Sequence, residues 1–171
     1  MRHIYMVIVG VMIIALASCD DIKNSRTPVW PVNINIGTTG QWVTYGVHAY
    51  GEYRMFNKSL GLPTNPSYPY TANTYTGFGG VLLILGYNFT TNDYSTPMAF
   101  DLSCPVENTP DTRVKIDANN YDAVCPVCGS HYSVIEGGGT PLSGPALQKK
   151  YGLQRYRVTK TTTGGYIISR L

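Results

Sequence analysis

Three cysteines of this chain carry the spacing of a metal or redox site. Cys104 stands before Pro105, and Cys125 opens the run Cys125-Pro126-Val127-Cys128. A Cys-x-x-Cys spacing serves both metal ligands and redox dithiols. Each group follows a stretch expected as a strand: Met98–Leu102 ahead of Cys104, and Asp122–Val124 ahead of Cys125. Two strand-end loops that both begin Cys-Pro can face each other and enclose a sulfur-lined pocket. One such loop alone would say little. Two matching loops point to a metal site or a disulfide.

The elements that must position those loops read as short strands. Val32–Ile36 alternates apolar and polar residues, as a half-buried strand does, and Gly37–Gly40 reads as a turn. Val81–Leu85 is a continuous apolar run of buried-strand type, and Tyr87–Asp93 reads as a hairpin loop before Met98. Arg113–Ile116 and Asp122–Val124 frame a turn at Asn119-Asn120. Tyr132–Ile135 precedes Gly137–Gly139, and Leu153–Val158 with Tyr166–Ile168 makes a final pair. The single helical candidate is Ala146–Tyr151. Short strands at intervals near ten residues, with glycine turns, predict an all-β fold, an antiparallel sandwich or barrel. Twelve of the twenty aromatic residues fall between Trp42 and Tyr94. They could form a sugar-binding face, but packing of long loops is the favoured reading.

Composition agrees with a turn-rich domain outside the cytoplasm. Charged residues make up only 13%, while glycine, proline and tyrosine are abundant. The net charge of +3 is small and no Lys/Arg run is present, so nucleic acid is not an expected partner.

The chain begins with Arg2 and His3, then an apolar run Ile4–Leu16, then Leu16-Ala17-Ser18-Cys19. The run is too short for a permanent transmembrane helix and suits a signal peptide. The tetrapeptide resembles the lipobox of bacterial lipoproteins, which implies cleavage before Cys19 and acylation of that cysteine. Residues 1–18 are then the signal peptide, 19–28 a polar tether behind the lipid, and 29–171 the β domain. Several acyl chains on one residue give stable attachment. This reading places the protein at the bacterial cell envelope, anchored to a membrane, the outer favoured over the inner. Asp20 and Asp21, just behind the anchor, are of a type that acts as a sorting signal in some bacteria. With Cys19 committed to lipid, Cys104, Cys125 and Cys128 remain, an odd set that cannot all pair within the chain.

A second resemblance lies in the cysteine loops themselves. Cys125-Pro-Val-Cys-Gly-Ser-His-Tyr132, followed by Gly137-Gly-Gly and Leu142-Ser-Gly-Pro-Ala146, is similar to the second cluster-binding loop of Rieske proteins. Ala99-Phe-Asp-Leu-Ser-Cys104 resembles the approach to the first such loop, and the 20 residues between Cys104 and Cys125 fit the usual separation. The match covers about residues 77–158. It implies a Rieske-like antiparallel β-sandwich or barrel with a small cluster-binding subdomain. The departures from the family are chemical. Rieske centres use two thiolates and two imidazoles. Here the histidine positions are Val106 and Cys128, so a normal Rieske centre is excluded.

Three readings of the pocket follow. Cys104, Cys125 and Cys128 hold a [2Fe-2S] cluster or a single metal ion, with Glu107, His131 or water as the fourth ligand. Alternatively Cys104 bonds Cys125 or Cys128 and the module carries no cofactor, being a redox-inactive binding or structural component. In the third, the thiols are free and reactive. Three thiolates on iron would lower its potential well below that of a Rieske centre. Three thiolates with one oxygen or nitrogen donor also suit zinc. A loop histidine near the surface is the plainer account of His131, and His48 lies far from any acid or cysteine in sequence. No Ser-His-Asp order, phosphate loop or His-Glu-x-x-His pattern occurs, so the chain is not read as a self-contained enzyme. The leading expectation is metal or cluster binding, with electron transfer to a redox or envelope protein partner.

Overall fold

The described residues of this computed structural model are 21–24, 26–59 and 67–171. The segment expected as a signal peptide, residues 1–18, and Cys19, the expected acylation site, lie outside them. In chain order the elements are β1 (Val32–Thr38), α1 (Thr39–Tyr45), β2 (Tyr53–Phe56), β3 (Tyr75–Thr76), β4 (Val81–Ile84) and β5 (Met98–Asp101). They continue as β6 (Lys115–Ile116), β7 (Ala123–Val124), β8 (His131–Ser133), β9 (Thr140–Ser143), α2 (Gly144–Lys149), β10 (Arg155–Lys160) and β11 (Gly164–Arg170).

Alternation along β1 buries Val32, Ile34 and Ile36 while Asn33 and Asn35 stay exposed. This period-two pattern fixes which face of the strand meets the core. β1 sits in a seven-stranded antiparallel sheet of order β2-β4-β5-β10-β11-β1-β3 that closes almost into a barrel. A second sheet, β6-β7-β8-β9, is small and also antiparallel. The fold is all-β, as the strand spacing predicts.

β4 and β5 have all four residues buried, which accounts for the apolar runs Val81–Ile84 and Met98–Phe100. Val81, Leu83 and Ala99 point into the barrel core with Ile34, Ile36, Phe56 and Ile168. Leu82, Ile84, Met98 and Phe100 point the other way, into a second core with Cys104, Cys125, Tyr132 and Leu153. The strand pair therefore stands between the barrel and the subdomain that carries the thiols. Where the two halves meet, Gly86 lies against Ile135, and a Cβ there would collide with the Ile135 carbonyl. The Tyr87 amide donates to that same carbonyl at 2.7 Å.

Two local expectations change. Gly37–Gly40 is not a free turn: β1 runs through Thr38, and α1 begins at once. The Thr38 side chain accepts from the Gln41 amide and Gln41 reaches back to the Thr38 amide, a reciprocal cap for the first turn. α1 then lays Trp42 on Tyr166, with ring centroids 4.6 Å apart. The helix expected at Ala146–Tyr151 forms slightly earlier, at Gly144–Lys149, with Pro145 in its first turn and Lys150 in the left-handed conformation at its end. The aromatic segment also contributes β2 and β3, besides packing rings such as Tyr45, Tyr68 and Tyr70 against one another.

In the polar stretch ahead of β1, Lys23 makes a parallel bridge with Tyr151. Its amide donates to Lys150 at 2.8 Å, and its carbonyl accepts from Gly152 at 3.1 Å.

Candidate metal centre

The chain enters the site from β5. Asp101, the last residue of that strand, is fully buried, and its carboxylate accepts from the amides of Phe78 (3.0 Å), Gly79 (3.0 Å) and Ser103 (2.7 Å). The Tyr156 hydroxyl donates to it as well. Burial pushes the Asp101 carboxyl above the ordinary carboxylate range, against the pull of those four donors. The carboxylate thus ties the glycine loop 77–80 to the backbone just before Cys104. The Cys104 amide donates to Thr112 at 2.9 Å, which closes the first cysteine loop.

The second loop is the turn between β7 and β8. Cys125 follows β7 directly, and its amide donates to the Ser130 carbonyl at 2.9 Å. The Gly129 amide donates back to the Cys125 carbonyl at 3.0 Å, with Gly129 at φ +67°. A glycine serves there because no side chain competes for the left-handed region.

These two loops bring the sulfurs together. Cys104, Cys125 and Cys128 lie within 3.3–3.7 Å of one another, and the Cys104 and Cys128 sulfurs are 3.7 Å apart. Cys104 and Cys125 are buried and Cys128 is half-buried. Four ligands at about 2.3 Å around one ion sit about 3.8 Å from each other, the edge of the tetrahedron. The observed spacing matches three corners of that figure. It is well outside the S–S bond of about 2.05 Å. All three thiols are free, so the expected alternative of a Cys104 disulfide to Cys125 or Cys128 is corrected.

The surroundings separate the thiols electrostatically. Burial pushes the Cys125 thiol up to about 12. Burial also opposes ionisation of Cys128, but the hydroxyl and amide of Ser130 and the two neighbouring thiols outweigh it and hold Cys128 below its ordinary value. The Cys128 sulfur is 3.2 Å from the Ser130 hydroxyl oxygen, which also accepts from the Ala146 amide at 3.0 Å. Once Cys128 is a thiolate, that hydroxyl donates to it. On the other side the buried Tyr132 hydroxyl lies 3.4 Å from the Cys104 sulfur. Burial and the adjoining Cys104 sulfur hold its phenol far above the usual range, so it stays a donor.

The structure places the two expected fourth ligands differently. His131 neighbours Tyr132 on β8, and the β8–β9 register shifts between the two. Tyr132 takes the pocket side, and His131 lies against Asp122, 3.4 Å from its carboxylate. Glu107 sits half-buried in the turn after Cys104. Among the described residues, the metal-ligating atoms gathered within 4.8 Å of one another are the three sulfurs, without Glu107 or His131. His48 is exposed, with its ring beside Trp42.

Sequence reasoning did not single out Asp101, Ser130 or Tyr132 as parts of the site. An acid inside the apolar strand Met98–Leu102 was the one signal for Asp101. No protein-family model matches this chain, and no curated protein matches it either. What stands is an almost closed antiparallel β-barrel with a small second sheet and a three-thiol group able to hold a metal.

Proposed function

We propose that Cys104, Cys125 and Cys128 hold a single thiophilic ion, zinc or iron, in a lipid-anchored domain of the bacterial cell envelope. The observation that carries this reading is the mutual spacing of the three sulfurs, 3.3–3.7 Å, which fits one tetrahedral ion. A two-iron cluster would need one thiolate displaced onto its second iron, beyond a single tetrahedral edge. The spacing therefore favours a mononuclear centre over a [2Fe-2S] cluster.

The motif resemblance to Rieske proteins supports a redox ancestry, and the half-buried Cys128 sets the centre near the surface. Val127, beside it at the loop tip, is 66% exposed and offers a partner an apolar contact. With iron in the centre the domain exchanges one electron with an envelope partner. With zinc the centre is a clamp between the two loops. The Leu16-Ala17-Ser18-Cys19 run supports anchoring through Cys19.

Metal and sulfide analysis of anaerobically purified full-length protein tests the proposal. The expected result is one zinc or iron per chain without acid-labile sulfide, lost on Cys104→Ser. Two irons with two sulfides would replace this reading with the cluster. Failure to bind zinc or ferrous iron on reconstitution would overturn metal binding altogether. Mass analysis of the membrane fraction tests the anchor separately, through the acyl mass on Cys19.

A further inference from the structure

The two cysteine loops are one turn made twice. The first reads Cys104-Pro105-Val106-Glu107-Asn108 and the second Cys125-Pro126-Val127-Cys128-Gly129. In the first, the Asn108 amide donates to the Cys104 carbonyl at 2.8 Å. In the second, the Gly129 amide donates to the Cys125 carbonyl at 3.0 Å. The fifth residue is left-handed in both, Asn108 at φ +53° and Gly129 at φ +67°. Asparagine and glycine are the residues that adopt this conformation most readily. The amide of each leading cysteine is also bonded to the returning chain at 2.9 Å, Cys104 to Thr112 and Cys125 to Ser130.

Cys104 and Cys125 are therefore equivalent, and the residue equivalent to Cys128 is Glu107. Two such turns facing one another would offer an ion four ligands, one pair from each. Three of those places hold sulfur, and the fourth holds a carboxylate. From this equivalence we infer that Glu107 is the fourth ligand, giving a centre of three sulfurs and one oxygen. The inference rests on the metal-binding reading above.

The alternatives are weaker on the same geometry. Val106, like Val127, occupies the turn's third position and has no donor atom. His131 lies against Asp122, 3.4 Å from its carboxylate, and its ring nitrogens are not gathered with the three sulfurs. The Ser130 hydroxyl already accepts from the Ala146 amide and faces Cys128. The Glu107 carboxylate lies two carbons further from the backbone than a cysteine sulfur. That length lets it close the fourth corner from the outer side of the pocket when an ion draws it in. Carboxylate oxygen bonds zinc at about 2.0–2.2 Å, shorter than sulfur does, so the fourth side of the centre would be compressed.

Cobalt(II) binding to the full-length protein tests this, because thiolate-to-cobalt absorption counts sulfurs and the visible bands report coordination. In the unaltered protein the expected spectrum is tetrahedral, with the absorption of three thiolates. Glu107→Gln is expected to weaken cobalt binding at least about tenfold while leaving the sulfur absorption unchanged. Glu107→Cys is expected to bind more tightly and to raise the thiolate absorption by roughly a third, one sulfur added to three. His131→Ala should change neither quantity. Equal affinity and an unchanged visible spectrum in Glu107→Gln would overturn the assignment while leaving metal binding intact. An unaltered thiolate absorption in a folded Glu107→Cys variant would do the same. Absence of any thiolate absorption in the starting protein would end the metal reading, and this assignment with it.

Discussion

The Cys104 and Cys128 sulfurs stand 3.7 Å apart although 24 positions separate them in the chain. That distance is short enough for a shared ion and too long for a bond between the two. It is set by β5 on one side and the β7–β8 turn on the other, not by either cysteine.

The first prediction concerns those thiols directly. Alkylation at neutral pH, under denaturant and chelator and without reductant, should label Cys104, Cys125 and Cys128 together. A mild oxidant added after chelation should join two of them and leave one open to alkylation. Mass spectrometry of the peptides checks both states. Finding two of the three already joined before oxidation would contradict the structure.

A second prediction concerns Ser130, which touches Cys128 without being a ligand. Ser130→Ala removes the donor to the Cys128 thiolate and strands the Ala146 amide. Zinc affinity, measured by competition with a coloured chelator, should fall by about 10–100-fold. Saturating zinc at 100 times its dissociation constant should stabilise the unaltered protein by about 2.7 kcal/mol. An affinity unchanged in Ser130→Ala would show that the hydroxyl contributes nothing to the centre.

Asp101 should be among the costliest positions to truncate. Asp101→Ala leaves three amides and the Tyr156 hydroxyl without their acceptor in a buried place. The expected loss is roughly 3–5 kcal/mol, read from the urea midpoint. Asp101→Asn keeps one accepting oxygen and should cost about 1–2 kcal/mol. An unchanged midpoint in Asp101→Asn beside a loss in Asp101→Ala would show that the side chain acts by volume, not by its hydrogen bonds.

The pH dependence of Tyr50 has a definite sign. Its hydroxyl donates to Glu136 at 2.7 Å, and that bond, with some burial, pushes the phenol from 10.0 up to about 12. A folded value above the unfolded one means the contact contributes fully below pH 10 and is lost as pH rises toward 12. Chemical shifts of the isotope-labelled Tyr50 ring should show it titrating at about 12. Glu136→Gln should bring it back toward 10.0. An ordinary titration of Tyr50 in the unaltered protein would remove the hydrogen bond from the account.

The thiol group was legible in the sequence because Cys-Pro recurs 21 positions apart, each time behind a strand. β4 was legible too, since a short apolar run, Val-Leu-Leu-Ile, behind the Gly77–Gly80 turn fits a strand buried on both faces. α1 was not, because Gly37-Thr-Thr-Gly40 has the composition of a turn. Its Thr38/Gln41 cap was the one contrary signal. β3 has two residues, and β9 begins Thr-Pro, so neither is long enough to display a period. The Cys104 disulfide was open in the sequence because parity and spacing carry no distances. The partners of Asp101 come from loops and strands far off in the chain, which no local pattern reports.

The β4–β5 pair is a party wall. Leu82, Ile84 and Phe100 lean on the thiol side, while Val81, Leu83 and Ala99 lean on the barrel side. Neither half can melt alone without wetting one surface of that wall, so the two should come apart in a single cooperative event. Anything that tightens the grip of Cys104, Cys125 and Cys128 should then slow amide exchange in β4 and β5, and even in β10 and β11. On that packing the small sheet and the barrel should behave as one thermodynamic body.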